Sequence, residues 1–505
     1  MEEEALDADS RPFLSASIRV HPRFFFAASL SADLGGRSGR DFPPYFLTES
    51  LSLVRILQLT PGAGGLYCGN CFRDNALVTA LRRQGHDTLM VPLYLPMTLD
   101  EMDTRGDSPT LFGGVNVFLS QKLPWHRRSP AWLRRWFDAP WLLKWASGKA
   151  AGTRPEDVGE INYSMLQGEE GNQARELEEL ITWLKRQERP DVILLSNALL
   201  TGLARRLKSE LRAPVIVFLQ SEESFLDSIF EPWRTRSWDL LRERAREVDG
   251  WIAPSRYFAG RMTERLGLSE SRVRVVHNGI LLDGYPLEPR SLAGHSRPTL
   301  GYFARMCPEK GLDIVVDAYI ELRRRNRVPP LQLRIGGGCG AGDEAFVRRQ
   351  KQKLTDADVL RDCVFAPNLS RTEKIAFYAA CDVLSVPARQ SEAFGLYVIE
   401  SMAAGTPLVQ PSAATFPELL GETGGGVLYA PNTAGALADA LEPLLADLPR
   451  LRVLGELGRR AVRDRFTDAT MASGTVVAIR HLLGAGVGAG NAEGAVPALD
   501  LSHSR

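Results

Sequence analysis

The chain has 505 residues, of which 44% are hydrophobic and 24% charged, and its 61 basic side chains balance its 61 acidic ones. A chain of this length exceeds one ordinary hydrophobic core, so we expect two or more domains. The zero net charge gives no reason to expect a nucleic-acid partner. No apolar run approaches the roughly 20 residues that a membrane-spanning helix needs. Six cysteines are too few for a disulfide framework in so long a chain, which favours a cytoplasmic location.

The two ends of the chain show no sustained hydrophobic period. Residues 1–52 include an acidic run from Glu2 to Glu4, whereas the first region of a signal peptide is positively charged. We expect these residues to form a disordered extension, and the alternative is an upstream translated stretch. Residues 484–505 begin with alternating glycines and small side chains, and we expect them to form a flexible tail.

Residues 53–280 alternate between short apolar runs and helical segments. The first predicted strand, residues 54–60, leads into a glycine turn and then a helix over 75–84. Further strands are predicted at 88–93, 192–195, 215–218, 251–254 and 273–276. Alternation of this kind is typical of a parallel, doubly wound α/β sheet.

The same alternation restarts after an irregular linker at residues 281–297. Residues 298–467 are therefore predicted to form a second doubly wound domain, and residues 468–483 a helix that could cross back to the first. The strands of the second domain are predicted at 300–303, 331–335, 363–365 and 383–386. Open parallel sheets bind ligands beyond the carboxyl ends of their strands, so two such domains predict a deep cleft between them.

A long insertion at about residues 97–167 interrupts the first domain. Five tryptophans lie from Trp125 to Trp145, interleaved with four arginines and Lys144. A basic, tryptophan-rich helical stretch over 125–149 could lie peripherally in a membrane interface. The alternative, which we favour because aromatic side chains are commonly buried, is a helical flap packed on the cleft or the core.

The stretch 391–407 is the most informative in the chain. It places Glu392 in a loop, Gly395 before a helix start, and Glu400 inside the helix that follows. The start of a helix offers free backbone N–H groups and a positive dipole end, which suit a phosphate. Carboxylates on either side suit the hydroxyls of a sugar and a ribose. The stretch therefore predicts a site for a sugar joined to a nucleotide through phosphates.

Three segments of the second domain resemble the donor-binding half of the family-4 glycosyltransferases, which have the two-domain GT-B fold. They are residues 301–313, residues 368–382, and the stretch 391–407 with its two glutamates separated by seven residues. The segments are collinear and in the family's order. The first domain matches only in its alternation and its glycine turn. The resemblance implies a GT-B-like fold of two Rossmann-like domains.

The resemblance assigns the phosphate-binding role to two cations. Arg305 and Lys310 would neutralise the donor diphosphate, since a guanidinium and an ammonium suit a leaving group that gains negative charge. The structural alternative is a pair of surface cations on the loop between a strand and a helix.

The resemblance also assigns the sugar and ribose contacts. Glu392 would contact hydroxyls of the transferred sugar, and Glu400 would hold those of the ribose. Phe394, Gly395 and Leu396 would present backbone N–H groups, with glycine permitting close approach. The alternatives are a solvated loop acid for Glu392 and a glutamate favoured by the helix dipole for Glu400.

The first domain gives weaker signals. Gly64 and Gly65 lie in the turn that in the family reaches across the cleft towards the donor phosphates and the acceptor. Many relatives carry a histidine after the strand that resembles residues 215–219, but this chain has Gln220 there, which could donate the corresponding hydrogen bond to the donor sugar or the reacting centre. Cys68 and Cys71 could be redox-active or half of a zinc site, although buried thiols are the commoner reading.

The function implied by the resemblance is that of a retaining glycosyltransferase. It would move a sugar from a nucleoside-diphosphate sugar to an unidentified acceptor, with no metal and no further cofactor. Domain closure would assemble the site and exclude water. Two alternatives stay open: a glycosyltransferase-like binding or regulatory protein without turnover, and another GT-B-fold enzyme such as a sugar-nucleotide epimerase.

Overall fold

The computed structural model describes residues 53–62, 69–93, 155–288, 297–389 and 391–484. Within these ranges the chain forms two six-stranded sheets, and the strand pairs in both sheets run parallel. Helices separate most successive strands. The predicted α/β class, with two doubly wound parallel sheets, is confirmed.

The first sheet and its helices come from residues before 280. The strands are β1 (Arg55–Thr60), β2 (Asp87–Pro92), β3 (Val192–Leu195), β4 (Val215–Phe218), β5 (Gly250–Ala253) and β6 (Val273–Val275). The described helices are α1 (Gly69–Arg83), α2 (Pro155–Gln167), α3 (Ala174–Leu184), α4 (Ala204–Leu211), α5 (Glu222–Ser228), α6 (Trp233–Arg244) and α7 (Arg256–Leu266). Short 3-10 turns lie at Gly168–Glu170, Ala198–Leu203 and Glu270–Arg272.

The second sheet and its helices follow. The strands are β7 (Thr299–Phe303), β8 (Gln332–Gly337), β9 (Cys363–Pro367), β10 (Val383–Leu384), β11 (Leu408–Pro411) and β12 (Gly426–Tyr429). The helices are α8 (Leu312–Arg325), α9 (Glu344–Asp356), α10 (Arg371–Ala379), α11 (Leu396–Ala403), α12 (Phe416–Thr423), α13 (Ala434–Leu445), α14 (Leu448–Arg465) and α15 (Asp468–Leu483). Short 3-10 turns lie at Pro308–Lys310 and Leu360–Asp362.

Each sheet reverses its strand order once. The order of the first is β2-β1-β3-β4-β5-β6, and that of the second is β12-β11-β10-β7-β8-β9. The reversal lies between β1 and β3 in the first sheet and between β7 and β10 in the second. The loops that leave two neighbouring strands on opposite faces open a crevice at such a point. Each sheet therefore has one crevice at the carboxyl ends of its strands.

Hydrophobic side chains cover both faces of the first sheet. One face packs in a cluster with Leu57, Ile193 and Trp251, while Ile56, Leu194 and Ile252 belong to a cluster on the other. The second cluster includes apolar side chains of α15, so the last described helix lies against the first sheet. A separate cluster fills the second half. Strands buried on both faces explain why their sequences read as continuous apolar runs.

One sequence prediction differs from the structure, and another concerns residues that the structure does not describe. Helix α1 begins at Gly69 rather than at the predicted residue 75, because glycine and asparagine at its start carry no apolar period. The tryptophan-rich stretch 125–149 lies outside the described residues, so its membrane contact stays a prediction. No helix in the described ranges is long and apolar enough to span a bilayer.

Candidate functional site

The crevice of the second sheet brings Lys310 and Glu392 together. Lys310 follows β7 and Glu392 follows β10, and these strands are neighbours in the sheet. The Lys310 Nζ lies 2.6 Å from the Glu392 Oε2, and the Tyr397 hydroxyl donates to the same oxygen at 3.1 Å. The Glu392 side chain is only 8% exposed, whereas that of Lys310 is 33% exposed. Glu392 is therefore a buried, oriented carboxylate and not a solvated loop acid.

Two glycines shape this crevice. Gly311 follows Lys310 with a φ of 72°, and a Cβ there would lie 2.1 Å from the Pro387 carbonyl oxygen. Any other residue would therefore push the Lys310 turn away from the loop that follows β10. Gly395 has a φ of 75° and is the residue from which α11 begins. Only glycine adopts this left-handed conformation without steric cost, so the helix start depends on it.

Arg305 lies in the same crevice but is paired with a different acid. Its Nε and Nη2 donate to the two carboxylate oxygens of Asp343 at 3.1 and 3.0 Å. Asp343 is buried and also accepts from the Gly340 backbone N–H at 3.0 Å, while the Arg305 side chain is 66% exposed. The hydrogen bonds that Arg305 donates to the Asp343 carboxylate raise the pKa of Arg305 further. The guanidinium is therefore oriented by a buried acid and open to solvent.

Sequence reasoning missed Asp343. It lies at the end of the glycine-rich run 336–343, which begins with the last two residues of β8. Such a run after a predicted strand is a signal for a loop near a ligand, and it could have identified this acid.

Glu400 is held by the preceding helix. Its Oε1 accepts from the Lys374 Nζ at 2.9 Å, and its Oε2 from the Tyr378 hydroxyl at 2.9 Å. Lys374 and Tyr378 are four residues apart on α10, which places them on one helix face. All three side chains are buried, so Glu400 is part of an ordered polar network rather than a glutamate favoured only by the helix dipole. Neither partner received a role in the sequence analysis.

The first half approaches this crevice through the start of α1. A Cβ on Gly69 would lie 3.8 Å from the Leu396 Cδ1, which places the start of α1 beside the start of α11. The Lys374 Nζ lies 5.6 Å from the centroid of the Phe72 ring. The first turn of α1 therefore faces both the helix start and the Glu400 network.

The glycine turn itself is not described. Gly64, Gly65 and Cys68 lie within residues 63–68, outside the described ranges, so their predicted roles stay predictions. Cys71 lies buried in the first turn of α1. Neither the redox reading nor the zinc reading of these cysteines gains support from its position.

Gln220 follows β4 at the carboxyl edge of the first sheet. Its backbone N–H donates to the Glu222 Oε2 at 2.7 Å, and the Ala198 N–H donates to Oε1 at 2.8 Å. Glu222 therefore ties together the loops that leave β3 and β4. Burial raises the pKa of Glu222 to about 6, and the two N–H donors act against that rise. Sequence reasoning named Gln220 here, whereas the structure shows that its neighbour Glu222 organises the loops.

A cavity of about 280 Å³ lies where the two halves meet. Its lining includes Ser391, next to Glu392, and five residues of the first half. These are Glu223, Ser224, Asp227, Ser228 and Arg261. Arg261 forms an ion pair with Glu223. The cavity therefore offers hydroxyls and carboxylates beside the Glu392 loop.

One group among the described residues has the geometry of a metal site. His277, Glu418 and Glu422 offer ligand atoms that lie within 4.8 Å of one another. The Arg256 guanidinium forms ion pairs with both carboxylates. Because a side-chain cation already compensates these acids, we assign no metal to the group.

Comparison with known families covers both halves of the chain. Residues 75–283 match the family model described as Glycosyltransferase Family 4, and residues 287–461 match that of Glycosyl transferases group 1. The chain resembles the family-4, GT-B glycosyltransferases.

Curated relatives match about half of the chain. A D-inositol 3-phosphate glycosyltransferase from Nocardia farcinica is 29% identical over 262 residues, which cover 48% of this chain and 56% of the relative. A GDP-mannose-dependent alpha-(1-6)-phosphatidylinositol monomannoside mannosyltransferase from Mycolicibacterium smegmatis is 27% identical over 239 residues, or 45% of this chain and 60% of the relative. The chain thus spans little more than half the length of these relatives.

Solved structures resemble the fold over most of the chain. Sucrose-phosphate synthase from Thermosynechococcus elongatus has a TM-score of 0.63 and 19% identity, covering 85% of this chain and 99% of that one. HepE from Anabaena, solved with UDP and glucose, has a TM-score of 0.58 and 16% identity, covering 84% of this chain and 99% of that one. At these identities the likeness establishes the two-domain GT-B fold.

Proposed function

We propose that this protein is a retaining glycosyltransferase that takes a sugar from a nucleoside-diphosphate sugar. The observation that carries the proposal is the contact between Lys310 and Glu392 beside the start of α11. One crevice thereby holds a cation for phosphate, a buried carboxylate for sugar hydroxyls and the free N–H groups of a helix start. The resemblance to glycosyltransferase families over both halves supports it.

The diphosphate would lie between the two cations and the helix start. Arg305 and Lys310 are the exposed members of their ion pairs, so an anionic ligand can reach them without unburying an acid. Backbone N–H groups of Phe394, Gly395 and Leu396 would face the same phosphates. These positive groups stabilise the charge that develops on the leaving diphosphate, which is the role a metal ion would otherwise have. We therefore propose a metal-independent reaction.

The sugar and the ribose would bind on opposite sides of the diphosphate. Glu392 would accept hydrogen bonds from hydroxyls of the transferred sugar, and Tyr397 keeps its carboxylate oriented. Glu400 would accept from the ribose hydroxyls while its ion pair with Lys374 holds the carboxylate in place. Because both carboxylates are already fixed by protein donors, little ordering is required when the donor binds.

The transfer step forms one C–O bond and breaks one at the anomeric carbon, and it moves one proton between two oxygens. The acceptor hydroxyl oxygen bonds to the anomeric carbon on the face from which the diphosphate oxygen departs, so the configuration is retained. The acceptor proton passes to the departing phosphate oxygen. Lys310 and Arg305 stabilise the negative charge that remains on the nucleoside diphosphate.

The acceptor would enter from the first half. The cavity of about 280 Å³ adjoins Ser391, the neighbour of Glu392, and is lined by hydroxyls and carboxylates that can bind a hydroxylated acceptor. We propose this cavity as part of the acceptor side.

A second candidate is a nucleotide-sugar-binding protein without turnover. It is favoured by one observation, the presence of Gln220 where many relatives have a histidine. Both candidates bind the donor, and only the enzyme forms a glycosylated product.

The test starts with a panel of nucleotide sugars that differ in base and sugar. We expect one class to raise the melting temperature, with the shift following ligand concentration relative to Kd. The stabilising donor is then incubated with hydroxylated acceptors, and the anomeric configuration of the product is read by NMR. Donor binding without any product would favour the binding protein, and an inverted product would contradict retention.

A matched pair of variants locates the activity. Glu392→Gln is expected to lower transfer by about 100-fold or more, since the carboxylate would contact the reacting sugar. Glu373→Gln is the control, because Glu373 bonds only to Ser370 at the start of α10 in the described hydrogen bonds. Transfer at the wild-type rate by Glu392→Gln would refute the assignment of the site.

A further inference from the structure

The start of α7, in the first half, is capped by a carboxylate of the second half. The backbone N–H of Arg256 donates to the Glu418 Oε1 at 2.9 Å, and that of Tyr257 donates to Oε2 at 3.0 Å. Glu418 lies on α12, 161 residues further along the chain than Tyr257. The first N–H groups of a helix have no acceptor within the helix, so Glu418 satisfies two that would otherwise need water.

The same helix start holds the loop that carries Glu392. The Ser255 hydroxyl donates to the Ala393 carbonyl oxygen at 2.7 Å and accepts from the Phe258 N–H at 3.1 Å. The Tyr257 hydroxyl lies 2.9 Å from the Ser391 Oγ. Both chain neighbours of Glu392 are therefore hydrogen-bonded to the first turn of α7.

The surroundings of Glu418 keep its carboxylate charged and in place. Its side chain is 8% exposed, and the His277 Nε2 lies 3.0 Å from Oε1. Burial alone would raise the pKa of Glu418, but the hydrogen bonds from His277 and the two backbone N–H groups hold it below its usual value. A negative charge is favourable at the positive end of a helix dipole. The His277 ring stacks on Phe466 at 5.3 Å, which fixes its orientation.

We propose that Glu418 is a positioning residue for Glu392. It anchors the start of α7 to α12, and through Ser255 and Tyr257 this anchor fixes the loop in which Glu392 lies. The effect of Glu418 on catalysis rests on the proposed function, because Glu418 can influence the reaction only if Glu392 binds the transferred sugar. Glu400 and its partners Lys374 and Tyr378 lie within the second half, so ribose recognition does not depend on this anchor.

The first experiment measures the anchor without any ligand. Amide hydrogen exchange is compared between the wild type and Glu418→Ala over the first turn of α7 and residues 391–395. We expect exchange there to accelerate about tenfold, because local opening becomes easier when the cap is lost. Glu373→Ala is the matched control: it also removes a glutamate at a helix start, but only within α10, and should leave the 391–395 loop unchanged.

Unchanged exchange in Glu418→Ala would overturn the proposal whatever the activity. Equal acceleration of the loop in Glu373→Ala would overturn it as well, since the effect would then be general destabilisation. Should Glu418→Ala fail to fold, Glu418→Gln keeps one acceptor oxygen and gives the same comparison with a smaller change.

The second experiment separates sugar recognition from nucleotide recognition. In Glu418→Ala we expect kcat with the stabilising donor to fall about 10- to 100-fold, because a small displacement of a catalytic group has effects of this size. Affinity for the free nucleoside diphosphate should fall by a smaller factor than affinity for the nucleotide sugar, since the proposed contacts of Glu400 with the ribose stay in place. Equal weakening of nucleoside diphosphate and nucleotide sugar would contradict a positioning role.

A double-variant cycle tests the route of the effect. Tyr257→Phe removes the contact with Ser391, and we expect Tyr257→Phe with Glu418→Ala to lose no more activity than Glu418→Ala alone, since both act through the start of α7. Additive losses would refute that route. If the wild type transfers no sugar from any donor, the proposed function fails, while the exchange experiment still decides whether Glu418 anchors the loop.

Discussion

Both sheets reverse their strand order once, and each reversal opens a crevice, but the charged side chains of the two crevices are paired in different ways. In the second half, Glu392 and Asp343 are buried while their partners Lys310 and Arg305 stay partly exposed. In the first half, the ion pair of Arg73 with Asp74 is buried on both sides.

The difference distinguishes the proposed donor site in the second crevice from a scaffold in the first. A buried acid that orients an exposed cation leaves the cation available to a phosphate. The acids of the first crevice are instead used by the protein itself: Asp74 pairs with Arg73, and Glu222 accepts from two backbone N–H groups. We infer that the second crevice exchanges partners with a ligand, while the first holds its loops in shape.

The largest effect on stability is expected from breaking the buried ion pair of Arg73 with Asp74 in the first crevice. Asp74→Ala leaves the Arg73 guanidinium, which is 1% exposed, without its carboxylate. Loss of one partner of a buried ion pair costs about 3–5 kcal/mol of unfolding free energy. Urea unfolding of wild type and variant measures this. A cost below about 1 kcal/mol is typical of surface ion pairs and would contradict the structural role of the Arg73–Asp74 pair.

Breaking the ion pair of Lys310 with Glu392 in the second crevice should lower activity with little effect on stability. Lys310→Ala is expected to reduce kcat for sugar transfer about 10²- to 10³-fold, because one positive group facing the leaving diphosphate is lost. Lys353→Ala is the matched control, since Lys353 pairs with Asp317 on the surface at 2.7 Å, away from the crevice. Steady-state kinetics of both variants decide the point. Similar kinetics in both would remove Lys310 from the proposed mechanism.

The buried acid of the first crevice should reveal itself through pH. Glu222 has a pKa of about 6 in the folded protein against an ordinary 4.5, so the folded protein binds the proton more tightly than the unfolded chain. Its contribution to stability is therefore complete below about pH 4.5 and is lost as the pH rises through about 6, by about 2 kcal/mol in total.

Glu222→Gln isolates that contribution. Other groups titrate in both proteins, so the stability of wild type minus that of the variant should fall by about 2 kcal/mol between pH 4 and 7. Denaturant unfolding at several pH values gives the difference. A difference that stays constant with pH would show that Glu222 titrates normally.

The smallest effect concerns the geometry of the exposed cation. Arg305→Lys keeps the charge but loses the two-pronged contact with Asp343, so the cation is less well oriented. We expect affinity for the nucleoside diphosphate to fall about tenfold, the equivalent of about one hydrogen bond. Calorimetric titration measures it. Unchanged affinity would mean that Arg305 contributes charge alone.

The sequence predicted the fold class and the residues of the second crevice because short segments of neighbouring residues indicate both. Short apolar runs between helices indicate parallel strands, and the order of Arg305, Lys310, Glu392 and Glu400 follows motifs of a few residues each. The position of Gly395 before a helix was likewise a local signal, and its φ of 75° agrees with the predicted helix start.

The partners of those residues were not predictable in the same way. Lys310 and Glu392 are 82 positions apart in the chain, and Arg305 and Asp343 are 38 apart. Sequence reasoning also gave weight to Gln220 and none to Glu222, because a buried carboxylate that binds backbone N–H groups has no motif.

The sequence by itself thus determined two doubly wound sheets and the candidate donor residues on one of them. The tertiary structure decided which acid orients which cation, and that Glu418 of one half caps a helix of the other. The physical reason is that β10 returns to lie beside β7, while α7 meets α12 across the two halves. Such neighbours are selected by packing of the whole chain, and no periodicity of a few residues encodes them.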